Sequence, residues 1–83
     1  MQMMAEGKDI AKHLGSVIKE IRFAKNISQE KLAELGDLDR SYVSEIERGV
    51  KIASVVTVFK LAHALEIEPS KIIQKLEEQI KFQ

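Results

Sequence analysis

The sequence predicts an all-α protein, a compact bundle of five helices in one domain. Three observations carry that prediction. Apolar residues recur at three- and four-residue intervals, the spacing of one helix face. There is no sustained apolar/polar alternation and no Asn-Gly or Asp-Gly turn of the kind that marks a β-hairpin. Residues that start helices and residues that stop them succeed one another along the whole chain.

Asp9 is the expected cap of the first helix, in which Ile10, Leu14, Val17, Ile18 and Ile21 form one stripe ending near Lys25 and Asn26. Ser28 suits the cap of a second, short helix, with Glu30 in its first turn and Leu32, Ala33 and Leu35 as apolar positions. That helix stops near Gly36-Asp37. Asp39 caps a third helix from Arg40 to about Arg48, with Val43 and Ile46 facing inward and Gly49 as its stop. Ser54 caps a fourth helix carrying Val55, Val58, Phe59, Leu61, Ala62 and Leu65, with Phe59 expected in the core. The only proline, Pro69, opens a fifth helix with the stripe Ile72, Ile73, Leu76 and Ile80. Residues 1–8 are expected to be disordered and residues 9–83 to form the single domain. Phe82 is expected in the tail or at an interface.

With 83 residues and no cysteine, the chain builds a small core without disulfides or thiolate metal sites. His13 and His63 are too far apart for a local metal pair and read as helix-surface or core-edge residues. The methionines at the start do not read as a sulfur ligand set, and Phe23, Phe59 and Phe82 are not spaced as a stacking platform. No stretch reaches the roughly 20 apolar residues of a membrane span, and the opening residues lack the blocks of a signal peptide, so the expected location is cytoplasmic. No cofactor loop or effector domain is present, and no metal, cofactor or small-molecule ligand is expected. Ser44 has acids but no histidine nearby in sequence, which argues against an enzyme.

Thirteen basic residues balance thirteen acidic ones. A nucleic-acid-binding face would therefore have to be local, assembled by folding and not by a basic tail. The segment that suggests such a face runs from Ser28 to Gly49: two short helices joined tightly at Gly36-Asp37-Leu38. Spacing alone fits a generic helical hairpin equally well.

Residue identity distinguishes the two. Ile21-Arg22, Ser28-Gln29-Glu30-Lys31-Leu32-Ala33, Leu38-Asp39-Arg40-Ser41-Tyr42-Val43-Ser44, Ile46-Glu47-Arg48-Gly49 and Leu61-Ala62-His63-Ala64-Leu65 stand in order. This pattern resembles the lambda-repressor-like, or XRE, helix-turn-helix family, and within it the controller proteins of restriction-modification systems. The chain departs from the family at Asp37, where Gly is usual, near Ala53 and Ser54, where Pro is frequent, and in a connector whose single charge is Lys51.

The resemblance implies a transcriptional regulator that reads a palindromic operator on double-stranded DNA. Arg40, Ser41 and Tyr42, in the first turn of the recognition helix, would meet base edges or phosphates, and an Arg pairs bidentately with guanine. Ser44 and Glu45 lie one turn on. Glu45 either accepts from cytosine N4 or repels phosphate to sharpen specificity. Gln29, at a helix N-terminus, suits a phosphate or a local cap interaction. Arg48 and Lys51 are candidate phosphate contacts. Arg22 and Glu47 correspond to a structural ion pair of the family. Other readings of the same fold are a phage-type repressor and a protein-interaction module such as an antitoxin.

One recognition helix reads few base pairs, so a homodimer is expected, with its two helices about 34 Å apart. Ile72 should fill the chain's own core. Ile73, Leu76 and Ile80 extend the stripe further and are the candidate dimer interface. The alternative is that they fold back on the first helix, against Ile10 and Leu14.

Overall fold

The computed structural model describes residues 7–81. It contains α1 (Gly7–Lys25), α2 (Gln29–Gly36), α3 (Arg40–Glu47), α4 (Val55–Leu65) and α5 (Pro69–Lys81), and no strand among the described residues. Helix α1 begins at Gly7, so the boundary expected after residue 8 moves. Asp9 sits inside the first turn and not at the cap. There its carboxylate still faces the positive end of the helix dipole. Residues 1–6 and Phe82 lie outside the described residues.

The first four helices stop in the same way. Asn26 (φ 60°), Asp37 (φ 55°), Gly49 (φ 76°) and Glu66 (φ 55°) are left-handed. After each, an apolar residue donates its N–H five residues back: Ile27 to Arg22 (3.4 Å), Leu38 to Ala33 (2.9 Å), Val50 to Glu45 (3.0 Å) and Ile67 to Ala62 (3.0 Å). This is the Schellman arrangement, which satisfies carbonyls that a helix end otherwise leaves bare. Ile27, Leu38 and Ile67 also pack against the core. Short polar side chains tolerate the left-handed position, so Asp37 serves where the family uses glycine. Gly49 is different, because a Cβ there would lie 2.8 Å from Lys12 Cα.

Leu14, Val17, Ile18 and Ile21 of α1 meet Leu32, Val43, Ile46, Leu61, Leu65, Ile72 and Leu76 in one core. Of the apolar positions of α2, Leu32 and Ala33 are buried while Leu35 is exposed, and the buried position beside it is Gly36. Val55 and Phe59 also face outward. On α4 the inner stripe is Val58, Leu61, Ala62 and Leu65, and positions 55 and 59 lie one turn apart on another face.

Of the four glycines, Gly15 has the least room. A Cβ built there would run into the carbonyl oxygen of Ile46 and stand 2.7 Å from that of Glu47. Only glycine lets α1 run this close to the C-terminal turn of α3. Gly15→Ala is therefore expected to lower stability by about 1–3 kcal/mol, although alanine is the better helix former. Urea unfolding measures it. A neutral or stabilising effect would show that α3 retreats at no cost.

Candidate nucleic-acid interface

Helix α2 starts on a complete cap: the Ser28 hydroxyl oxygen accepts from Lys31 N–H at 3.0 Å. Asp39 caps α3 by its backbone conformation alone, since no side-chain cap bond forms. Val43, Ile46 and Glu47 take the buried side of α3. The opposite side presents Arg40, Ser41 and Arg48, which are exposed, and Ser44 and Glu45, which are partly so. Lys51 follows, exposed on the connector. Arg40, Ser28, Gln29, Glu30 and Arg22 line a shallow groove at the start of α2. There the first N–H groups of a helix stand beside a guanidinium, an arrangement suited to an anionic oxygen. The cations on this face are few, and Glu45 stands among them, which accords with the zero net charge.

Behind the face lies a buried ion pair. Arg22 Nε donates to Glu47 Oε2 at 2.7 Å and Nη2 donates to Oε1 at 2.9 Å. The side chains are 9% and 2% exposed. Arg22 Nη1 also donates to the Ile27 carbonyl at 3.0 Å, and Gln29 Nε2 donates to Glu47 Oε1 at 3.0 Å. One cluster therefore ties the end of α1, the start of α2 and the end of α3. The Glu47 hydrogen bond raises the Arg22 pKa above its ordinary value, against the lowering effect of burial. Gln29, expected to face a phosphate or cap its own helix, turns its amide nitrogen toward Glu47.

Tyr42 has a contact inside the fold as well. Its ring is half-buried and packs on the core, and its hydroxyl lies 3.3 Å from Thr57 Oγ1. Thr57, a buried hydroxyl on α4, was not singled out in the sequence. Its position three residues after the cap Ser54 was the available signal.

On α5, Leu76 belongs to the chain's own core and Ile80 packs partly against it. The fold-back reading accounts for these two residues, because α5 lies along α1, where His13 Nδ1 and Gln79 Oε1 are 2.9 Å apart. Ile73 stays 49% exposed and shares a groove with Val55, Phe59 (58% exposed) and Pro69. Among the described residues no acid and histidine group is placed to hold a metal ion, and no helix is long and apolar enough to cross a membrane.

The sequence profile of the family described as Helix-turn-helix matches residues 18–72. Control protein C.BamHI of Bacillus amyloliquefaciens is 42% identical over 60 residues, covering 71% of this chain and 74% of that protein. The restriction-modification controller protein C.AhdI of Aeromonas hydrophila superposes with a TM-score of 0.73 at 48% identity, covering 75% of this chain and 94% of that one. C.Esp1396I, solved bound to a 19-base-pair DNA duplex, gives a TM-score of 0.79 at 31% identity, covering 86% and 95%. The chain thus belongs to the helix-turn-helix family, among the restriction-modification controller proteins.

Proposed function

We propose that the chain is a transcriptional regulator of the controller type, which binds a palindromic operator as a homodimer with α3 in the major groove. The observation that carries this reading is the face of α3. Arg40, Ser41, Ser44, Glu45 and Arg48 project from a helix whose other side is anchored by Val43, Ile46 and the Arg22–Glu47 pair. A rigidly backed helix with a polar outer face is what base readout requires. The DNA-bound relative has the same fold. Arg40 serves as the guanine reader, while Arg48, Lys51 and the start of α2 hold phosphates. Gln29 supports this contact mainly by steadying Glu47. The protein acts in the cytoplasm, as a binding protein and not an enzyme. The dimer forms on the exposed Val55 and Phe59 of α4 and Ile73 of α5.

The test is selection of duplexes from a randomised library by the wild-type protein, followed by binding of variants. Arg40→Ala is expected to lose about 1–3 kcal/mol of discrimination at one base pair of each half-site, roughly five- to 150-fold. Its melting temperature should not change. Equal affinity of wild type and Arg40→Ala for the selected duplex would remove Arg40 from the reading head.

A further inference from the structure

We infer that Thr57 is a positioning residue for operator recognition: its buried hydroxyl fixes the Tyr42 phenol, so that Tyr42 meets DNA as a hydrogen-bond donor. The inference rests on the proposed function and adds a residue from outside the two reading helices.

Thr57 stands on α4 beside the apolar stripe of Val58, Leu61, Ala62 and Leu65, and is itself buried. A buried hydroxyl is costly unless it is bonded, and valine would fill the same space without that need. The bonds are present. Ser54 Oγ accepts from Thr57 N–H at 3.1 Å and donates its own hydrogen to Thr57 Oγ1, also at 3.1 Å. Tyr42 Oη lies 3.3 Å from Thr57 Oγ1.

A hydroxyl has one hydrogen and two lone pairs. The 3.3 Å separation lets either hydroxyl donate, and the Thr57 hydrogen is here assigned to Tyr42 Oη. The chain of donors then runs from Ser54 to Thr57 to Tyr42. Tyr42 accepts on its inner side and keeps its own hydrogen for an outside acceptor. Duplex DNA presents such acceptors as phosphate oxygens, purine N7, guanine O6 and thymine O4. Tyr42 is two residues from Arg40, in the first turn of α3, so a phenol held in one place also holds the start of the recognition helix.

The experiment compares wild type, Thr57→Val, Thr57→Ser, Tyr42→Phe and the Thr57→Val/Tyr42→Phe double variant. Each is measured on the duplex selected by wild type and on a scrambled duplex of equal composition. Thr57→Val is expected to lose roughly fivefold on the selected duplex, the scale of one hydrogen bond, and to stay within about twofold on the scrambled one. Thr57→Ser should restore binding, and the double variant should bind like Tyr42→Phe alone. Tyr42 is the only tyrosine and there is no tryptophan, so the near-ultraviolet tyrosine dichroism reports its surroundings directly. That band should weaken in Thr57→Val and return in Thr57→Ser. If Thr57→Val fails to fold, Thr57→Ala repeats the comparison.

Unchanged preference for the selected duplex, equal loss on both duplexes, or additive losses in the double variant would each overturn the inference alone. A wild type that selects no duplex would overturn the proposed function, and this inference with it.

Discussion

Glu47→Ala is expected to destabilise the protein by about 3–5 kcal/mol, the usual effect of stranding a buried charge. A domain of this kind has a total stability of roughly 5–15 kcal/mol, so the loss is a large part of the whole. Removing the Glu47 carboxylate leaves Arg22 without two hydrogen bonds and Gln29 without one, in a place almost closed to water. The melting temperature should fall by about 12 °C or more. The raised Arg22 pKa fixes the pH behaviour on the alkaline side. The stabilisation is fully present below the unfolded-state value and is lost only as pH rises through the still higher folded value. Deprotonation of Arg22 therefore removes nothing near neutrality. The Arg22→Met/Glu47→Leu double variant should lose less than the sum of its single variants, because no charge is left buried alone. Strictly additive losses would show that the two side chains are energetically independent despite their 2.7 Å contact.

The helix order was legible because it depends on local chemistry. Ser28 and Ser54 announce α2 and α4 through cap bonds made within one turn, and Gly49 announces the end of α3 through its own backbone. The ion pair was legible only through resemblance, since nothing within Arg22 or Glu47 tells that α1 and α3 will bring them together. What failed to show was orientation. Val55 and Phe59 are as apolar as Val58 and Leu61, and a helix nearly apolar all round does not declare its inner side. The same holds for Leu76. Its stripe on α5 fits either a partner or α1, and the close run of α5 along α1 decides for the chain's own core. Gly15 was silent for another reason. The need for glycine comes from the carbonyls of Ile46 and Glu47, far away in sequence. Gln29 is likewise explained by a partner on another helix, Glu47, and Thr57 by Tyr42 as well as by its own cap Ser54.

The remaining apolar face gives the prediction with the greatest functional effect. Leu76→Glu is a poor probe of dimerisation, because it places a charge in the chain's own core and would unfold the protomer. Phe59→Glu and Ile73→Glu change side chains that are 58% and 49% exposed, so each should leave the helical signal and the melting profile of the protomer intact. Large apolar side chains grouped around one groove are the kind of surface that a partner covers. A two-fold contact there would set Phe59 and Ile73 of one copy against those of the next, and a glutamate would meet its own image across the axis. In sedimentation, wild type is therefore expected as a dimer at tens of micromolar and both variants as monomers. Operator affinity should drop on the order of hundredfold or more, because specific complexes exceed non-specific ones by about 10³–10⁷ and a lone protomer keeps half the contacts. Binding to a single half-site should change little at equal protomer concentration. Wild type that sediments as a monomer, or variants that remain dimeric, would move the interface away from Val55, Phe59 and Ile73.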